Sequence, residues 1–165
     1  INRDPDEHAL YDLARLAASG VRFFNRTPAM AMISYSNFGS DEDGKPAVVH
    51  RVVERMQKEY PELAIDGEMQ VNFALDRELR DEKYPFTRLK GQDVNTLIFQ
   101  SLSAANAAYK IAKSMADEGE VIGPIQIGLN KAIHFTDFES SVRDIVNITA
   151  VAAIDAYVEK LKKNK

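Results

Sequence analysis

The sequence predicts an α/β fold in three layers, with a mostly parallel sheet between helices on its two faces. Short apolar runs, typical of buried strands, occur at residues 29–35, 63–65 and 94–99. Longer segments between them carry apolar residues at helical spacing. Strands that alternate with helices in this way pair in parallel, because each helix returns the chain to the start of the next strand.

The first helix is predicted to begin at Asp4, which can cap it. Pro5 suits the first helical position, and Glu7 completes a capping box. Apolar residues then recur at helical spacing as far as Phe24, and Pro28 ends the helix. This segment carries no catalytic pattern and is predicted to serve packing.

Polar residues follow the first predicted strand. Residues 34–40 read Ser-Tyr-Ser-Asn-Phe-Gly-Ser. Serine, asparagine and glycine after a strand can arrange backbone N–H groups around an anion, but the pattern is weak and an ordinary turn is the favoured alternative. Ser36 is the candidate ligand-binding residue of this segment.

Two carboxylates, Asp66 and Glu68, follow the second predicted strand, which comes after a helix that begins at Lys45 and ends before Pro61. Two acids at the end of a strand can carry out acid–base chemistry, and a structural or capping role is the alternative. No histidine or third acid lies nearby in sequence, so a metal site is not predicted there.

A short helix is predicted over residues 70–79 and a charged connector over residues 76–90. After the third strand, Ser101 caps a helix rich in alanine, which allows close approach to a partner or to the sheet. Asn106 and Tyr109, in the first turns of this helix, are candidates to contact a ligand. A buried, hydrogen-bonded amide is the alternative for Asn106.

The densest set of polar residues lies within residues 121–146. We predict a buried strand, a Gly-Leu-Asn-Lys turn, a second apolar run, a polar loop and the start of a last helix. Ser141 and Asp144 form a capping-box pattern, and the helix extends to about Lys163 with apolar residues over a wide face. Ligands of parallel sheets bind at the carboxyl ends of the strands, where this loop and the other polar segments are expected to converge.

Two residues of this loop are candidate ligand contacts, each with a structural alternative. His134 is either a pH-responsive group or a packed, hydrogen-bonded histidine. Asp144 is either a ligand contact or only the cap of its helix.

Composition bounds the possible functions. The chain has 165 residues, is 45% hydrophobic and 28% charged, and carries a net charge of −4. These values are typical of one globular domain and indicate no affinity for nucleic acid or a membrane surface. The absence of cysteine excludes disulfides and thiol nucleophiles and favours a cytoplasmic location. The first residue is isoleucine, so we expect a fragment of a longer protein.

Six blocks together resemble the phosphate acetyl/butyryltransferase family. In order along nearly the whole chain, they are AMISYSNFGS, PELAIDGEMQ, YPFTRLKG with VNTLIF, SLSAANAAYK, IGPIQIGLNKAIH and SSVRDIVNITAVAAIDA. Within the family, the Asn-Phe-Gly-Ser block, the Gly-Glu-Met-Gln block and His134 most resemble the C-terminal domain of multidomain bacterial NADP-dependent malic enzymes.

The resemblance implies an architecture of the isocitrate/isopropylmalate dehydrogenase type, with two α/β subdomains around a cleft and a dimer interface. Residues 1–140 then form the second subdomain, and residues 141–165 form a terminal helix that returns to a first subdomain outside this chain. In a malic enzyme, NADP and a divalent metal (Mg or Mn) are expected in upstream domains. No cofactor or metal is expected in this chain.

The resemblance also bears on catalysis. Family members carry an Asn-Asp-Leu-Ser-Arg-Gly segment, in which the serine and the arginine are assigned to catalysis together with a later aspartate. Here residues 134–139 read His-Phe-Thr-Asp-Phe-Glu, so Asp137 stands at the serine position and Phe138 at the arginine position, while Asp144 is retained. A carboxylate repels an acyl phosphate, and a phenyl ring cannot stabilise the negative charge of the transition state.

The resemblance therefore implies a domain that does not transfer acyl groups. The leading hypothesis is a regulatory and oligomerisation domain of a malic enzyme, which decarboxylates malate oxidatively to pyruvate in its upstream domains. The resemblance implies that such a domain senses acetyl-CoA and forms a homo-oligomer, a dimer or larger. The alternatives are a purely structural dimerisation module and an active phosphate acyltransferase.

Overall fold

The computed structural model describes residues 2–117 and 121–163 of the chain, with side chains as far as residue 161. The chain divides into two compact units, Ile1–Ala107 and Ala108–Lys165, and each is described by itself. The strands are β1 (Ala29–Ile33), β2 (Ala64–Met69) and β3 (Thr96–Phe99). The helices are α1 (Glu7–Phe23), α2 (Gly44–Glu59), α3 (Val71–Leu75), α4 (Arg77–Lys83), α5 (Leu102–Met115) and α6 (Val142–Lys163).

The three strands form a parallel sheet in the order β2-β1-β3. Every residue of the central strand β1 is buried, because successive side chains point to opposite faces and both faces are covered. Met30 and Met32 pack against α1 and α2, whereas Ala31 and Ile33 pack in the cluster that contains Ala74 of α3. The predicted three-layer α/β/α fold with a parallel sheet is confirmed.

β2 is longer than its predicted strand, which ended at residue 65. It continues to Met69, so Asp66 and Glu68 lie within the strand and are buried rather than following it. A buried carboxylate is tolerated when donors surround it. Asp66 accepts hydrogen bonds from Thr87 Oγ1 at 2.7 Å and from the Arg88 amide at 2.8 Å, so it ties the following loop to the sheet.

The charged connector predicted over residues 76–90 is wrong in its first half, which forms α4. The helix predicted over residues 70–79 is split at Asp76, whose carboxylate accepts from the Leu79 amide at 2.9 Å and caps α4. The charged residues suggested an exposed connector. The prediction failed because one cation of the helix, Arg80, is fully buried.

The cap of α1 also differs from the prediction. Asp6, not Asp4, accepts a hydrogen bond from the Ala9 amide at 2.8 Å, which matches the usual spacing from a cap to the third helical residue. Asp4 lies outside the helix and pairs with Lys45 at the start of α2. Two aspartates that flank a proline satisfy the same sequence pattern, and only backbone geometry separates them.

The second unit consists of the C-terminal half of α5, an irregular segment and α6. The strand predicted after residue 120 is wrong, since residues 121–141 contain no strand in the structure. A strand needs a neighbour for its hydrogen bonds, and the described residues of this unit contain none; Pro124 also lacks an amide donor. Within the described ranges, no helix has the length and apolarity needed to cross a membrane.

Candidate functional site

The carboxyl ends of β1 and β3 border a cavity of about 410 Å³ in the first unit. Its wall combines hydrogen-bonding groups with apolar surface, as small-molecule sites commonly do. The lining residues are Ile33, Ser34, Tyr35, Lys45, Val71, Phe99, Gln100, Ser101 and Ala104.

Gln100 joins the two strand ends at this cavity. Its side-chain Nε2 donates to the Ile33 carbonyl at 3.3 Å and to Ser34 Oγ at 2.9 Å. Ser101, the next residue, caps α5 by accepting from the Ala104 amide at 3.2 Å, as predicted. The cavity wall is therefore built from the ends of regular elements and not from a free loop.

The turn that follows β1 is organised around an internal carboxylate. Glu68, which is fully buried, accepts from Ser36 Oγ at 2.9 Å and from the Gly39 amide at 2.6 Å through the same oxygen, Oε1. Ser36 is 2% exposed, and its hydroxyl also accepts from the Asp41 amide at 3.0 Å. The anion that these donors surround is therefore part of the protein.

Tyr35 forms an aromatic rim beside the cavity. Its hydroxyl donates to Asp41 Oδ2 at 2.7 Å. This hydrogen bond raises the pKa of Tyr35 and lowers the pKa of Asp41, because it favours a protonated phenol and an ionised carboxylate. Tyr35 as a whole residue is 65% exposed, and its hydroxyl is held by Asp41.

The second unit places Asp144 at the start of α6. The capping box predicted from the sequence is present: the Asp144 amide donates to Ser141 Oγ at 3.1 Å, and the Ser141 amide donates to Asp144 Oδ2 at 3.1 Å. Lys113 of α5 lies 3.3 Å from the same carboxylate. The hydrogen bond from the Ser141 backbone, followed by the one from Lys113, lowers the pKa of Asp144.

A cavity of about 230 Å³ opens next to this carboxylate. Its lining residues are Lys113, Ala116, Asp117, Val121, Glu139, Ser141 and Asp144. Acidic side chains outnumber the single lysine in this lining, so the cavity offers little attraction to an anion. Among the described residues, no group of three or more histidine, aspartate or glutamate side chains could hold a metal ion.

Asp137 and Phe138 occupy a tight turn before α6. Asp137 Oδ1 accepts from Ser140 Oγ at 2.9 Å and from the Glu139 amide at 3.2 Å, so this carboxylate is engaged in its own turn. Lys110 Nζ lies 3.9 Å from its other oxygen. Phe138 is fully exposed, and its ring supplies no charge.

The remaining candidates lie in different surroundings. The side chain of His134 is 3% exposed, and its Nε2 lies 3.5 Å from Asp155 Oδ2 of α6. Tyr109 donates its hydroxyl hydrogen to the Gly123 carbonyl at 2.9 Å and so fixes the segment that follows α5. Asn106 is exposed on α5, and a buried amide is therefore not its state. Of the five candidates, Ser36 and Asn106 belong to the first unit. Tyr109, His134 and Asp144 belong to the second.

The family model for phosphate acetyl/butaryl transferases matches residues 1–153 of the chain. The chain belongs to this family. The resemblance inferred from the six sequence blocks is thereby confirmed.

Relatives and solved structures of two kinds match the chain. It is 35% identical over 161 residues to the NADP-dependent malic enzyme of Salmonella typhimurium, a match that covers 98% of this chain and 21% of that enzyme. It is 33% identical over 156 residues to the phosphate acetyltransferase of Bacillus subtilis, covering 94% and 48%. A phosphotransacetylase structure from Streptococcus pyogenes superposes with a TM-score of 0.84 at 34% identity, covering 96% and 47%.

The chain thus spans about half the length of the transacetylases and about a fifth of the malic enzyme that it matches. It is homologous to the transacetylase-like C-terminal part of malic enzymes and is also similar to phosphate acetyltransferases.

Sequence reasoning missed two residues of these sites. Lys113 pairs with Asp144. It lies four residues after the candidate Tyr109, so helical spacing could have placed it on the same face of α5 as that candidate. Gln100 gave no signal, because a glutamine after a strand is common and its hydrogen bonds join residues 66 and 67 positions apart.

We expect the Asp144→Asn variant to have a lower melting temperature than the wild type at pH 7. A carboxylate whose pKa is lowered by folding stabilises the folded state above its unfolded pKa, and this contribution is lost as pH falls through the folded pKa. The difference in melting temperature should therefore shrink below about pH 4. Thermal unfolding followed by circular dichroism between pH 2.5 and 7 measures it.

Asp93→Asn is a suitable control, because Asp93 is exposed and pairs with Arg77 only at the surface. Its melting temperature should equal that of the wild type at every pH between 2.5 and 7. A gap between Asp144→Asn and the wild type that stays constant with pH would show that the charge of Asp144 is not the source of its effect.

Proposed function

We propose that this chain is a regulatory and oligomerisation domain at the C-terminus of a malic enzyme, and that it binds acetyl-CoA without transferring the acetyl group. In this proposal the upstream part of the enzyme, with NADP and a Mg or Mn ion, converts malate to pyruvate. The observation that carries the proposal is the pair Asp137 and Phe138 at the serine and arginine positions of the family.

The chemistry of acyl transfer supports an inactive site. Attack of a thiolate on an acyl phosphate builds negative charge, which a fixed guanidinium stabilises. Asp137 brings a negative charge instead, and Lys110 lies 3.9 Å from that carboxylate rather than free to face an acyl phosphate alone. Removal of one such transition-state contact costs about a hundredfold to a thousandfold in rate.

The retained aspartate is also engaged elsewhere. Asp144 accepts from the Ser141 amide at 3.1 Å and lies 3.3 Å from Lys113. Its lowered pKa makes it a poor proton acceptor at neutral pH, because a general base works best with a pKa near the working pH. These contacts support a structural role for Asp144, in which it holds the start of α6 and does not transfer a proton.

Binding without turnover suits regulation. A ligand that is not consumed shifts a conformational equilibrium by as much as its affinities for the two conformations differ, typically about 1–3 kcal/mol. The cavity of about 410 Å³ at the ends of β1 and β3 has the mixed polar and apolar wall that part of a coenzyme requires.

The exposed apolar residues of α6 support the oligomerisation role. Single exposed apolar side chains are normal, whereas many on one helix indicate a surface that associates. We propose that a second copy of the protein covers the part of this surface that a first subdomain outside this chain leaves open, because homo-oligomers with two-fold symmetry are the commonest assemblies. The residues are Val142, Ile145, Val146, Ile154, Tyr157 and Leu161, each 48% exposed or more.

The full-length protein tests the proposal. We expect acetyl-CoA to change the rate of malate-dependent NADP reduction, and to bind with a measurable heat in calorimetry. We expect no acetyl-CoA formation from acetyl phosphate and CoA above the uncatalysed rate, in an assay that detects an active phosphotransacetylase at one-thousandth of the same concentration.

Each alternative has a distinct outcome. An unchanged malate rate together with no heat of binding would contradict acetyl-CoA sensing. If acetyl-CoA sensing is contradicted in this way, sedimentation tests the structural dimerisation module. A dimer that Ile154→Asp converts to a monomer would favour that module. Acetyl-CoA formation from acetyl phosphate would identify an active acyltransferase and overturn the proposal.

A further inference from the structure

Glu68 has one oxygen bonded and one facing a histidine. Oε1 accepts from Ser36 and Gly39, whereas Oε2 is buried and has no hydrogen-bond donor within the described part of the chain. The Nδ1 atom of His50, on α2, lies 3.4 Å from Oε2 and is also buried without a hydrogen-bond partner there. Two buried polar atoms, each lacking another partner, therefore face each other.

The protonation state of the pair decides its energy. A fully buried carboxylate is costly unless a positive charge or donors compensate it. The ring N–H direction does not complete a hydrogen bond at 3.4 Å, so the attraction between His50 and Glu68 depends mainly on the positive charge of a protonated imidazole. A neutral imidazole leaves Oε2 without compensation, while Oε1 keeps its donors Ser36 and Gly39.

A second carboxylate also lies close to His50. On α2, Glu54 Oε1 lies 3.7 Å from Nε2, so each ring nitrogen faces a carboxylate. From α1, which packs against the same helix, Glu7 pairs with Arg51 at 2.8 Å and not with His50.

The loop between β1 and α2 carries the remaining acids near this turn. Asp41 accepts from Tyr35 at 2.7 Å and from the Asp43 amide at 3.0 Å. Within the described structure, the carboxylates that lie within 4 Å of His50 are those of Glu54 and Glu68.

We propose that protonation of His50 locks the turn of residues 36–39 onto β2 through Glu68, and that loss of this proton loosens the turn. The turn follows directly after Ser34 and Tyr35, which line the cavity at the strand ends. The lock thus makes the order of the cavity rim depend on pH within the range in which histidine titrates. Because the charged form stabilises the locked turn, the lock holds at lower pH and opens as pH rises.

Hydrogen–deuterium exchange of the full-length protein tests the lock. The readout is protection of a peptide that spans residues 34–41, corrected for the intrinsic dependence of exchange on pH; it contains the Gly39 amide that Glu68 binds. Between pH 5.5 and pH 8, where exposed carboxylates stay ionised, we expect protection in the wild type to fall about tenfold.

Two variants remove the switch in different ways. His50→Gln cannot be protonated, and Glu68→Gln has no charge to attract, so both should give a profile without the fall between pH 5.5 and 8. His8→Gln is the matched control, because His8 also has an acidic partner one turn away, Asp12 at 3.7 Å, but is 78% exposed. Its profile should equal that of the wild type.

A flat wild-type profile would overturn the lock, even if the two variants fail to fold. A fall in protection that persists in His50→Gln would also overturn it, since another group would then be the source. A fall in the wild type and in His8→Gln that disappears in His50→Gln or Glu68→Gln supports it.

Discussion

Replacing Arg80 by alanine is expected to lower the free energy of unfolding of this chain by about 3–5 kcal/mol. Arg80 is fully buried on α4, and its guanidinium donates to the carbonyls of Ala74 at 3.2 Å, Leu89 at 3.0 Å and Gln92 at 2.6 Å. The variant leaves these acceptors without their donor and opens a cavity, and both effects are costly in a buried place. Urea denaturation followed by circular dichroism measures the loss.

Arg77→Ala is the matched control on the same helix. Arg77 is 46% exposed and lies 3.3 Å from Asp93 at the surface, so its loss should cost about 0–1 kcal/mol. Equal effects of the two substitutions would show that the buried hydrogen bonds of Arg80 do not hold residues 74–92 together.

Gly67→Ala is expected to cost about 3 kcal/mol or more. Gly67 lies in β2 with φ +136°, and a Cβ atom there would lie 2.6 Å from the carbonyl oxygen of Met32 in the neighbouring strand β1. That oxygen belongs to backbone in the middle of the sheet, so it cannot move aside as a flexible side chain would. The same denaturation experiment measures the effect.

Gly91→Ala separates the clash from backbone strain. Gly91 also has a positive φ, +72°, but no atom lies within 4 Å of the position that an added Cβ atom would occupy. Its substitution should cost about 1 kcal/mol from strain alone. If Gly67→Ala costs no more than Gly91→Ala, the contact with Met32 is not what requires glycine in β2.

These two substitutions bear on the candidate site because both act on the elements that hold it. Gly67 directly precedes Glu68, the carboxylate that binds the turn after β1. Arg80 fixes the segment in which Thr87 and Arg88 bind Asp66 of the same strand. β2 is therefore an organising strand of the first unit, although its sequence contains two acids.

Local signals predicted the elements that local physics determines. β1 ends within two residues of its prediction, and α6 begins directly after Ser141, the first residue of its predicted capping box, because apolar runs and caps act over a few residues. The family motifs were equally accessible, since they are written in the sequence itself.

Elements that depend on distant partners were predicted poorly. β2 was expected to stop before Asp66, because a carboxylate is rare within a buried strand unless distant donors surround it. α4 was missed, since the burial of Arg80 follows from carbonyls as far along the chain as Gln92. A strand was expected after residue 120, although apolar runs form strands only where a neighbour completes their hydrogen bonds.

By itself, the sequence determined the family and the three-layer fold, because both rest on residue identity and order. Only the tertiary structure decided what the acids do. Glu68 binds Ser36 and Gly39 across 32 and 29 positions, and Asp144 meets Lys113 across 31. Such contacts depend on how the chain folds back on itself, which local spacing does not encode.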